Sequence, residues 1–449
     1  MPRRSFHVWT IGCQMNLADS EALSRQLLAA GFQEERDLER ADIAVLNTCV
    51  VRQASEDKVY SKLGELRAWK TPERTIAVTG CLVGKEGATL RGRFPHLDAV
   101  VPIGEGARFV ADLEARYDLA QGEPLPETGR TGVSQFVSVI QGCDHNCTFC
   151  IVPKVRGREV MKPQSAVLQE CRRAVAEGAR EVVLLGQNVD DYRDPASGGG
   201  LSRLVEAVAD LPGLLRVRFM TSHPQDLEPA LLQVMAQNPK VAHELQLPIQ
   251  SGDDYMLKRM ARGYQVRHYR AQVEAARRLM PDLGLMTDVI VGFSGETRAM
   301  FEHTRDLLQE VEFDVVHLAQ YSTRRGTYAA DHWPDDVPPP EKRRRLGELL
   351  DLQRAIARRK AQRWIGRTVE ILIEGADELG RPYGRTRQGK RTAVLGAQVG
   401  PRPGTPPTLP IAGRPPRSVV ELGSLVEVTV EQATAGQLAG PRSGLSART

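Results

Sequence analysis

The stretch that decides the fold is QFVSVIQGCDHNCTFC, residues 135–150, in which an apolar run leads directly into three closely spaced cysteines. The run QFVSVI is typical of a buried strand. Cys143, Cys147 and Cys150 follow it in Cys-x3-Cys-x2-Cys spacing. Three thiolates can bind three irons of a 4Fe–4S cube and leave the fourth iron without a protein ligand. The stretch therefore predicts an iron–sulfur site with one open iron at the end of a strand.

A zinc site is the alternative for these cysteines. Structural zinc takes four ligands, usually from paired Cys-x2-Cys motifs, and this stretch contains one such pair. His145 could be a fourth ligand, but it lies inside the loop between Cys143 and Cys147, where the geometry is poor. The spacing therefore favours the cluster.

Downstream of this stretch, apolar strands and helical segments continue to alternate. After 135–140, strands are predicted at 181–186, 215–220, 243–248, 286–293 and 313–321. Six strand–helix units indicate a partial (β/α)6 barrel that is open on one side, with substrates entering at the carboxyl ends of its strands. We predict this barrel domain over residues 129–360.

Upstream, the chain alternates in the same way. HVWTI (7–11), DIAVLN (42–47) and TIAVT (75–79) are predicted strands, and residues 20–31 are a predicted helix with Asp19 or Ser20 as N-cap and Gly31 as its stop. The alternation predicts a doubly wound parallel α/β domain over residues 5–121, followed by a Gly/Pro-rich linker at 122–132.

Cysteines follow all three of these predicted strands. Cys13, Cys49 and Cys81 each lie one or two residues beyond a strand end. Because the carboxyl ends of parallel strands share one edge, where ligand sites are built, the fold should bring the three together. Buried strand-end cysteines without a ligand are the alternative. The seventh cysteine, Cys171, lies in a predicted helix and matches no motif, so we expect it to be a buried small residue.

The last hundred residues have a different pattern. A basic helical stretch at 341–364 precedes short β segments at 368–375, 391–396 and 425–433, with a Gly/Pro-rich insert at 400–416. This pattern predicts a small β-barrel over residues 363–440, of a kind that often binds nucleic acid.

Charge is distributed unevenly along the chain. From Glu341 to the end there are 20 Lys/Arg and 10 Asp/Glu, whereas the first 340 residues carry 40 and 46. A basic C-terminal part suggests a polyanionic partner such as RNA or DNA, and a solvated basic helix without a partner is the alternative. An odd cysteine count, with no secretory signal and no membrane-length apolar run, argues against a disulfide framework and predicts a cytoplasmic protein without a membrane partner.

The cysteine spacing at 143–150, with an aromatic residue at Phe149, resembles the signature of the radical S-adenosylmethionine (SAM) superfamily. The resemblance implies that SAM chelates the open iron and that Phe149 faces its adenine. Further SAM contacts are expected near strand ends. The candidates are Gln187, Ser222, Gln250, Gly292 and Glu296, each of which could instead be a turn or capping residue.

A narrower resemblance covers nearly the whole chain in the right order. TIGCQMN, NTCVVRQASEDK and TGCLV around Cys13, Cys49 and Cys81, together with CTFCIVPKVRGRE (147–159), LQLPIQSGDD (245–254) and VIVGFSGET (289–297), resemble the MiaB family of radical SAM methylthiotransferases. The C-terminal β region resembles that family's OB-like TRAM domain. Two departures are Ser294, where Pro is expected, and Met161-Lys162 in place of Ser-Arg.

The resemblance implies a second 4Fe–4S cluster on Cys13, Cys49 and Cys81, and SAM as both methyl donor and radical source. The implied product is a methylthio group at C2 of N(6)-isopentenyladenosine next to the anticodon of tRNA, whose anticodon stem-loop is the implied partner. Other partners are an electron donor such as flavodoxin or ferredoxin and an Fe–S or sulfur supply protein, and we expect a monomer. Three alternatives remain: threonylcarbamoyl-adenosine of tRNA as substrate, a ribosomal-protein aspartate as substrate, and a non-catalytic Fe–S RNA-binding protein.

Overall fold

The computed structural model describes residues 4–51, 53–87, 89–118, 132–400 and 418–443. The predicted linker at 122–132 and the predicted insert at 400–416 therefore lie outside the described residues, apart from Gly132 and Gly400. No helix among the described residues is both long enough and apolar enough to cross a membrane.

The N-terminal part is built on a five-stranded sheet in which all neighbouring strands are parallel, in the order β2-β1-β3-β4-β5. Its strands are β1 (Ser5–Thr10), β2 (Gln33–Glu34), β3 (Ile43–Thr48), β4 (Thr75–Gly80) and β5 (Ala99–Val100). Its helices are α1 (Gln14–Ala29), α2 (Gln53–Trp69), α3 (Cys81–Glu86), α4 (Thr89–Arg93) and α5 (Gly106–Tyr117), with a 3-10 turn at Leu38–Arg40.

Helices cover both faces of this sheet because successive residues of a strand point to opposite sides. Ile43 and Val45 of β3 pack in one apolar cluster with α1 and α5. Ala44 and Leu46 pack in another cluster with α2. The predicted doubly wound parallel domain is confirmed.

The predicted start of the first helix is wrong. We expected a helix from residue 20 with Asp19 or Ser20 as its cap, but α1 begins at Gln14, directly after Cys13. The Asn16 side chain accepts a hydrogen bond from the Cys13 backbone N–H at 3.3 Å, which stabilises the earlier start. Ser20 lies inside the helix, where its hydroxyl is 2.7 Å from that of Thr10. The predicted stop at Gly31 is confirmed, since Gly31 has a left-handed φ of 89° after the helix.

The central part is a curved parallel sheet whose six strands follow chain order. A three-stranded half (β6, β9, β10) and a second half (β11, β12, β13) meet through a parallel bridge between Val217 and Val241. These strands are β6 (Ser134–Ser138), β9 (Glu181–Leu185), β10 (Arg216–Met220), β11 (Glu244–Gln246), β12 (Gly284–Val291) and β13 (Val315–Gln320). A two-stranded ribbon consists of β7 (Ile140–Gln141) and β8 (Val160–Met161).

Within the described residues β6 and β13 do not pair, so the sheet is a barrel that is open on one side, as predicted. Helices between the strands build its outer layer, and the apolar core between sheet and helices includes Cys171, which is 0% exposed as expected. These helices are α6 (Val152–Arg156), α7 (Gln164–Ala176), α8 (Leu201–Ala209), α9 (Pro229–Gln237), α10 (Asp254–Arg259), α11 (Val266–Leu279), α12 (Arg298–Val311), α13 (Tyr328–His332) and α14 (Pro339–Gln362), with a 3-10 turn at Val189–Asp191.

The C-terminal part is a small, mostly antiparallel sheet in the order β19-β14-β15-β16-β21-β20. A bridge from Val428 to Arg442 joins β19 to the end of β21, so the sheet curls on itself. Its strands are β14 (Thr368–Ala376), β15 (Pro382–Thr386), β16 (Arg391–Leu395), β19 (Leu425–Thr429), β20 (Gln432–Ala433) and β21 (Leu438–Pro441), beside a parallel pair β17 (Ala397–Val399) and β18 (Ser418–Val420). The predicted single strand at 425–433 is therefore two strands, β19 and β20.

The basic helix α14 packs against the barrel and uses much of its charge there. Arg345 and Glu296 form an ion pair of 2.6 Å in which both side chains are buried, and the Lys360 ammonium lies 2.6 Å from Asp314. Arg359 pairs with Glu312, which precedes β13. The helix therefore packs between the barrel and the C-terminal sheet. Because ion pairs with the barrel use much of its charge, its charge count alone overstates the basic surface.

Candidate metal centres and SAM site

The N-terminal cysteines lie together at the carboxyl edge of the parallel sheet. Cys49 and Cys81 directly follow β3 and β4, and Cys13 is three residues beyond β1, at the start of α1. The chain there is so crowded that a Cβ added at Gly12 would lie 2.9 Å from the Cβ of Cys49. Gly12 has a φ of 153°, so a residue without a side chain is needed for this approach.

Two buried asparagines hold these strand ends in place. The Asn16 amide donates to the Asn47 side-chain oxygen at 2.9 Å and to the Thr48 carbonyl at 3.1 Å. Asn47 in turn donates to the Asn16 carbonyl at 2.8 Å. Because both side chains are fully hydrogen-bonded in a dry environment, the loops that carry Cys13 and Cys49 are fixed relative to each other.

The thiols of this triad are close to one another, and two of them, Cys49 and Cys81, are shielded from water. Burial, together with the neighbouring Cys81 and Cys13 sulfurs, raises the pKa of Cys49 to about 11. Burial also raises the pKa of Cys81, while the Arg156 guanidinium opposes that rise. The Arg156 Nε donates to the Cys81 sulfur at 3.4 Å. A bound cation is what would keep three such thiols deprotonated together.

The barrel cysteines lie on a single loop that follows β6 and β7. The loop is tied down by its backbone, with the Thr148 N–H donating to the Met260 carbonyl at 3.1 Å and the Thr148 carbonyl accepting from Ala329 at 2.8 Å. Burial raises the pKa values of Cys143 and Cys150 to about 12 each, and the other sulfurs of the triad contribute to the same rise. The three thiols therefore face a common, shielded space.

Arg262 is the cation of this second triad. It is 4% exposed, and its Nη1 donates to the Cys147 sulfur at 3.2 Å. Its Nη2 donates to the Pro248 carbonyl at 3.0 Å, and its Nε donates to the Tyr264 hydroxyl at 3.2 Å. The guanidinium is therefore held rigidly beside the sulfur.

The number of cysteines in each triad, and the absence of a tight fourfold set, argue against a single zinc ion among the described residues. Four thiolates around one zinc, each at about 2.3 Å, lie about 3.8 Å from one another. In the part of the chain that the structure describes, the only group of three candidate ligands whose atoms all lie within 4.8 Å is His145, His223 and Asp226. Neither cysteine triad is that tight, and Cys171 is buried in the barrel core, away from both. Each triad thus offers three sulfurs and no fourth cysteine, as a 4Fe–4S cube with an open iron requires.

The histidine–aspartate group acts as a brace for the barrel loop. His145 lies between Cys143 and Cys147, and its Nε2 is 2.6 Å from a carboxylate oxygen of Asp226. Asp226 also accepts from the Asn188 amide at 2.8 Å, and the His145 ring stacks on His223 with 4.0 Å between centroids. His145 is therefore occupied by Asp226, which argues further against its service as a zinc ligand.

The two triads face each other across the interface between the N-terminal sheet and the barrel. Val155 belongs to α6, and Ile151 directly precedes that helix. Both side chains pack within the apolar core of the N-terminal part. The helices α3 and α6 approach so closely that a Cβ at Gly84 would lie 2.0 Å from the Val155 carbonyl oxygen. The Cys81 thiol is near enough to contribute to the raised pKa of Cys150.

Three of the predicted SAM residues lie beyond the carboxyl ends of barrel strands, Phe149 after β7, Gln187 after β9 and Ser222 after β10. Phe149 lies in an apolar cluster, edge-on to Phe293 at 6.3 Å. The Gln187 amide has buried oxygen and nitrogen atoms without a protein partner, which leaves it available to a ligand. The Ser222 hydroxyl donates to Asp190 at 3.0 Å. Of the three, Gln187 is the one whose polar atoms are uncommitted.

The other three predicted SAM residues belong to strand-end turns. Gln250 has a left-handed φ of 69°, and its backbone N–H donates to the Asp288 backbone carbonyl within β12. Gly292 has a φ of 70°, and its N–H donates to the Glu296 carboxylate at 2.6 Å. Because Glu296 also binds Arg345, its carboxylate is committed to holding this turn.

Sequence reasoning missed the residues that support the cysteines. Arg156 and Arg262 are 75 and 115 positions from the thiols they contact. Arg156 was visible only as part of the string VPKVRGRE, and nothing in the sequence distinguished Arg262 from other basic residues. Asn16 and Asn47 likewise gave no signal beyond their closeness to cysteines.

Comparisons with known proteins agree with this arrangement. Residues 137–308 match the Radical SAM superfamily, and residues 5–102 match Uncharacterized protein family UPF0004. The half-open barrel, with three cysteines on its first loop, thus defines a radical SAM enzyme.

Close relatives then specify the branch. A tRNA-2-methylthio-N(6)-dimethylallyladenosine synthase of Dehalococcoides mccartyi is 41% identical over 388 residues, covering 86% of this chain and 90% of the relative. A synthase of the same name from Thermotoga petrophila is 37% identical over 447 residues, covering 97% and 96%. The chain belongs to the tRNA-2-methylthio-N(6)-dimethylallyladenosine synthase family. Membership brings with it SAM and a 4Fe–4S cluster as cofactors.

A solved structure supports the fold alone. The radical S-adenosylmethionine methyltransferase TsrM from Kitasatospora setae, determined with cobalamin and a [4Fe-4S] cluster bound, superposes with a TM-score of 0.55 at 12% identity. The match covers 73% of this chain and 77% of that one.

Proposed function

We propose that this chain is a radical SAM methylthiotransferase that adds a methylthio group to C2 of N(6)-isopentenyladenosine beside the anticodon of tRNA. The observation that carries the proposal is the pair of three-cysteine sites that face each other across one interface. Each site has three sulfurs, one arginine and no fourth cysteine. One reaction that needs both a radical source and a sulfur carrier accounts for both sites.

The barrel triad is the proposed radical site. Cys143, Cys147 and Cys150 would hold the 4Fe–4S cluster, which when bound supplies the electron that cleaves SAM to a 5′-deoxyadenosyl radical. Phe149 would pack beside the adenine, the uncommitted Gln187 amide would bind a polar group of SAM, and Gly292 would line the same site. Ser222, Gln250 and Glu296 shape the same rim, Glu296 by fixing the turn through Gly292.

The N-terminal triad is the proposed sulfur site. Cys13, Cys49 and Cys81 would hold a second 4Fe–4S cluster whose open iron carries the sulfur that is methylated and transferred. The asparagine pair keeps two of these cysteines at a fixed separation, and Arg156 lies against the third. The α3–α6 packing fixes the triads relative to each other, as a reaction that uses both sites on one substrate base requires.

The three predicted units then divide the work. Residues 5–121 carry the sulfur site, 129–360 carry the radical site, and 363–440 form a TRAM domain that binds the tRNA anticodon stem-loop. In support of RNA binding, Arg343 and Arg358 on α14 have no carboxylate partner among the described residues, and the exposed Arg391 lies over the Tyr383 ring at 4.2 Å. An exposed cation stacked on a half-buried aromatic ring is suited to phosphate and base contacts.

The chemistry also requires partners. A flavodoxin or ferredoxin would deliver the electron, and an Fe–S or sulfur supply protein would restore the transferred sulfur. Since tRNA is the substrate, the cytoplasm is the proposed location, and the chain itself is proposed to act as a monomer.

The decisive experiment is mass spectrometry of tRNA nucleosides from cells with and without the gene. We expect 2-methylthio-isopentenyladenosine to disappear and isopentenyladenosine to accumulate. The Cys171→Ala variant should restore the product, because Cys171 serves only the barrel core, whereas Cys13→Ala should not. Unchanged 2-methylthio-isopentenyladenosine would contradict the proposed substrate and would direct the search to threonylcarbamoyl-adenosine and then to a ribosomal aspartate.

A further inference from the structure

Arg156 is part of the barrel in sequence, but its charged side chain lies in the N-terminal part of the molecule. It is the last residue of α6, which starts two residues after the barrel cysteine Cys150. Its guanidinium nevertheless lies at the carboxyl edge of the N-terminal sheet, where Nε donates to the Cys81 sulfur at 3.4 Å and Nη2 donates to Asp19 at 2.8 Å.

Close packing places it there. Ile151 and Val155 are buried in the N-terminal core, and Gly84 of α3 allows the Val155 carbonyl to approach. Arg156 therefore has little freedom to turn back toward solvent, and its side chain is 3% exposed. The next arginine, Arg158, lies two residues further along the chain, has an 89% exposed side chain and pairs with surface Asp144.

The charge balance around Arg156 is incomplete without a further anion. A buried guanidinium is costly unless its N–H groups and its charge are compensated. Asp19 compensates part of it, but Nη1 is buried and has no hydrogen-bond partner in the described chain. Burial also opposes ionisation of Asp19, whose pKa is raised above its usual value. An anionic assembly on Cys13, Cys49 and Cys81 would supply the missing negative charge.

We propose that Arg156 is a positioning residue of the N-terminal metal site, contributed across the interface by the barrel. This inference rests on the proposed second cluster. Arg156 holds Cys81 as a thiolate ligand and stabilises the more negative, reduced state of the cluster. The N-terminal site is thus complete only when the barrel is docked against it, which couples loading of the sulfur site to correct assembly of the two parts.

The test isolates the N-terminal site in the full-length chain. Cys143→Ala, Cys147→Ala and Cys150→Ala are combined so that iron binds only at Cys13, Cys49 and Cys81. In this background, Arg156→Gln is compared with Arg156→Lys and with the exposed control Arg158→Gln. The readouts are iron per chain, the rate of iron loss to a chelator, and the midpoint potential from electron paramagnetic resonance titration.

Loss of the guanidinium should speed iron loss by about 10-fold or more, as for other residues that orient metal ligands. The midpoint potential should move to a more negative value, because a nearby cation favours the reduced cluster. Arg156→Lys should restore part of the potential, since it keeps the charge, and Arg158→Gln should behave as the parent.

A double variant separates electrostatics from simple stability. Arg156→Gln with Asp19→Asn removes the buried charge without leaving Asp19 unpaired, so thermal stability should recover while iron loss stays fast and the potential stays low. Recovery of iron retention and potential together with stability would overturn the inference.

The outcomes also separate this inference from the proposed function. A parent background that binds no iron removes the second cluster and overturns both. A parent that binds a cluster unchanged by Arg156→Gln overturns the inference alone. If the triple cysteine background does not fold, the same variants are measured in the chain with all cysteines, where the N-terminal cluster signal is identified by its absence from the Cys81→Ala variant.

Discussion

The two cysteine sites are built in opposite ways. The barrel triad occupies one loop, Cys143 to Cys150, whereas the N-terminal triad draws Cys13, Cys49 and Cys81 from three strand ends. The barrel triad receives its arginine, Arg262, from within the barrel, while the N-terminal triad receives Arg156 from outside its own sheet. A site on one loop depends on local structure, and a site assembled from three strands and a neighbouring domain depends on the whole fold.

The largest expected effects come from replacing one cysteine in each triad, because each replacement should remove a different step of the reaction. Cys147→Ala should abolish both 5′-deoxyadenosine formation and the methylthio product, because the radical site is lost. Cys81→Ala should abolish the product and leave SAM cleavage intact. Both compounds are measured by liquid chromatography and mass spectrometry of the same reaction, and product from Cys81→Ala would refute the division of roles.

Replacing Arg262 should affect iron retention at the barrel triad and not at the N-terminal triad. Arg262→Gln removes the donor to Cys147, so iron loss from the barrel cluster to a chelator should be about 10-fold faster. Retention at the N-terminal site should not change. Arg267→Gln, an exposed arginine five residues along the chain, is the control, and equal iron loss in both variants would show that the effect is not specific.

Two glycine-to-alanine substitutions, one at the α3–α6 interface and one away from it, test how the interface contributes to stability. Gly84→Ala places a methyl group 2.0 Å from the Val155 carbonyl, so α3 and α6 must separate, at a cost of about 1–3 kcal/mol. Gly64→Ala, in the exposed face of α2 with open space around it, should raise stability by about 0.5–1 kcal/mol. Guanidinium chloride unfolding of iron-free protein measures both changes.

Gly84→Ala should also weaken iron retention at the N-terminal triad, since Cys81 begins the same helix. Retention as strong as in the parent, despite the loss of stability, would show that this triad does not depend on the interface.

The smallest expected effect is a difference in thiol reactivity among the cysteines of the N-terminal triad. Cys13 is exposed, whereas Cys49, Cys81 and Cys171 are buried. In folded, iron-free protein iodoacetamide should label Cys13 first and Cys171 only on unfolding, as read by peptide mapping. Iron loading should protect Cys13. Simultaneous labelling of Cys13 and Cys81 would mean that the N-terminal triad is open in the absence of iron.

The difference between the sites explains how far sequence reasoning reached. All six barrel strands were predicted within a few residues, because long apolar runs between helices leave few other arrangements. The start of α1 was missed because a tertiary hydrogen-bond network around Asn16, rather than local propensity, sets it. In the C-terminal sheet the short strands β15 and β21 were missed, since their pairing with distant strands outweighs their weak patterns.

The sequence by itself determined the cysteine triads, the alternation that makes parallel sheets, and the family resemblance, because spacing and periodicity are local properties. Only the tertiary structure decided that the triads face each other, that Arg156 and Arg262 contact their thiols, and that much of the charge of α14 is spent on ion pairs with the barrel. These facts depend on pairs of residues 46 to 115 positions apart, and burial makes each such contact strong. No local sequence pattern indicates which residues, distant in the chain, will be buried in contact with one another.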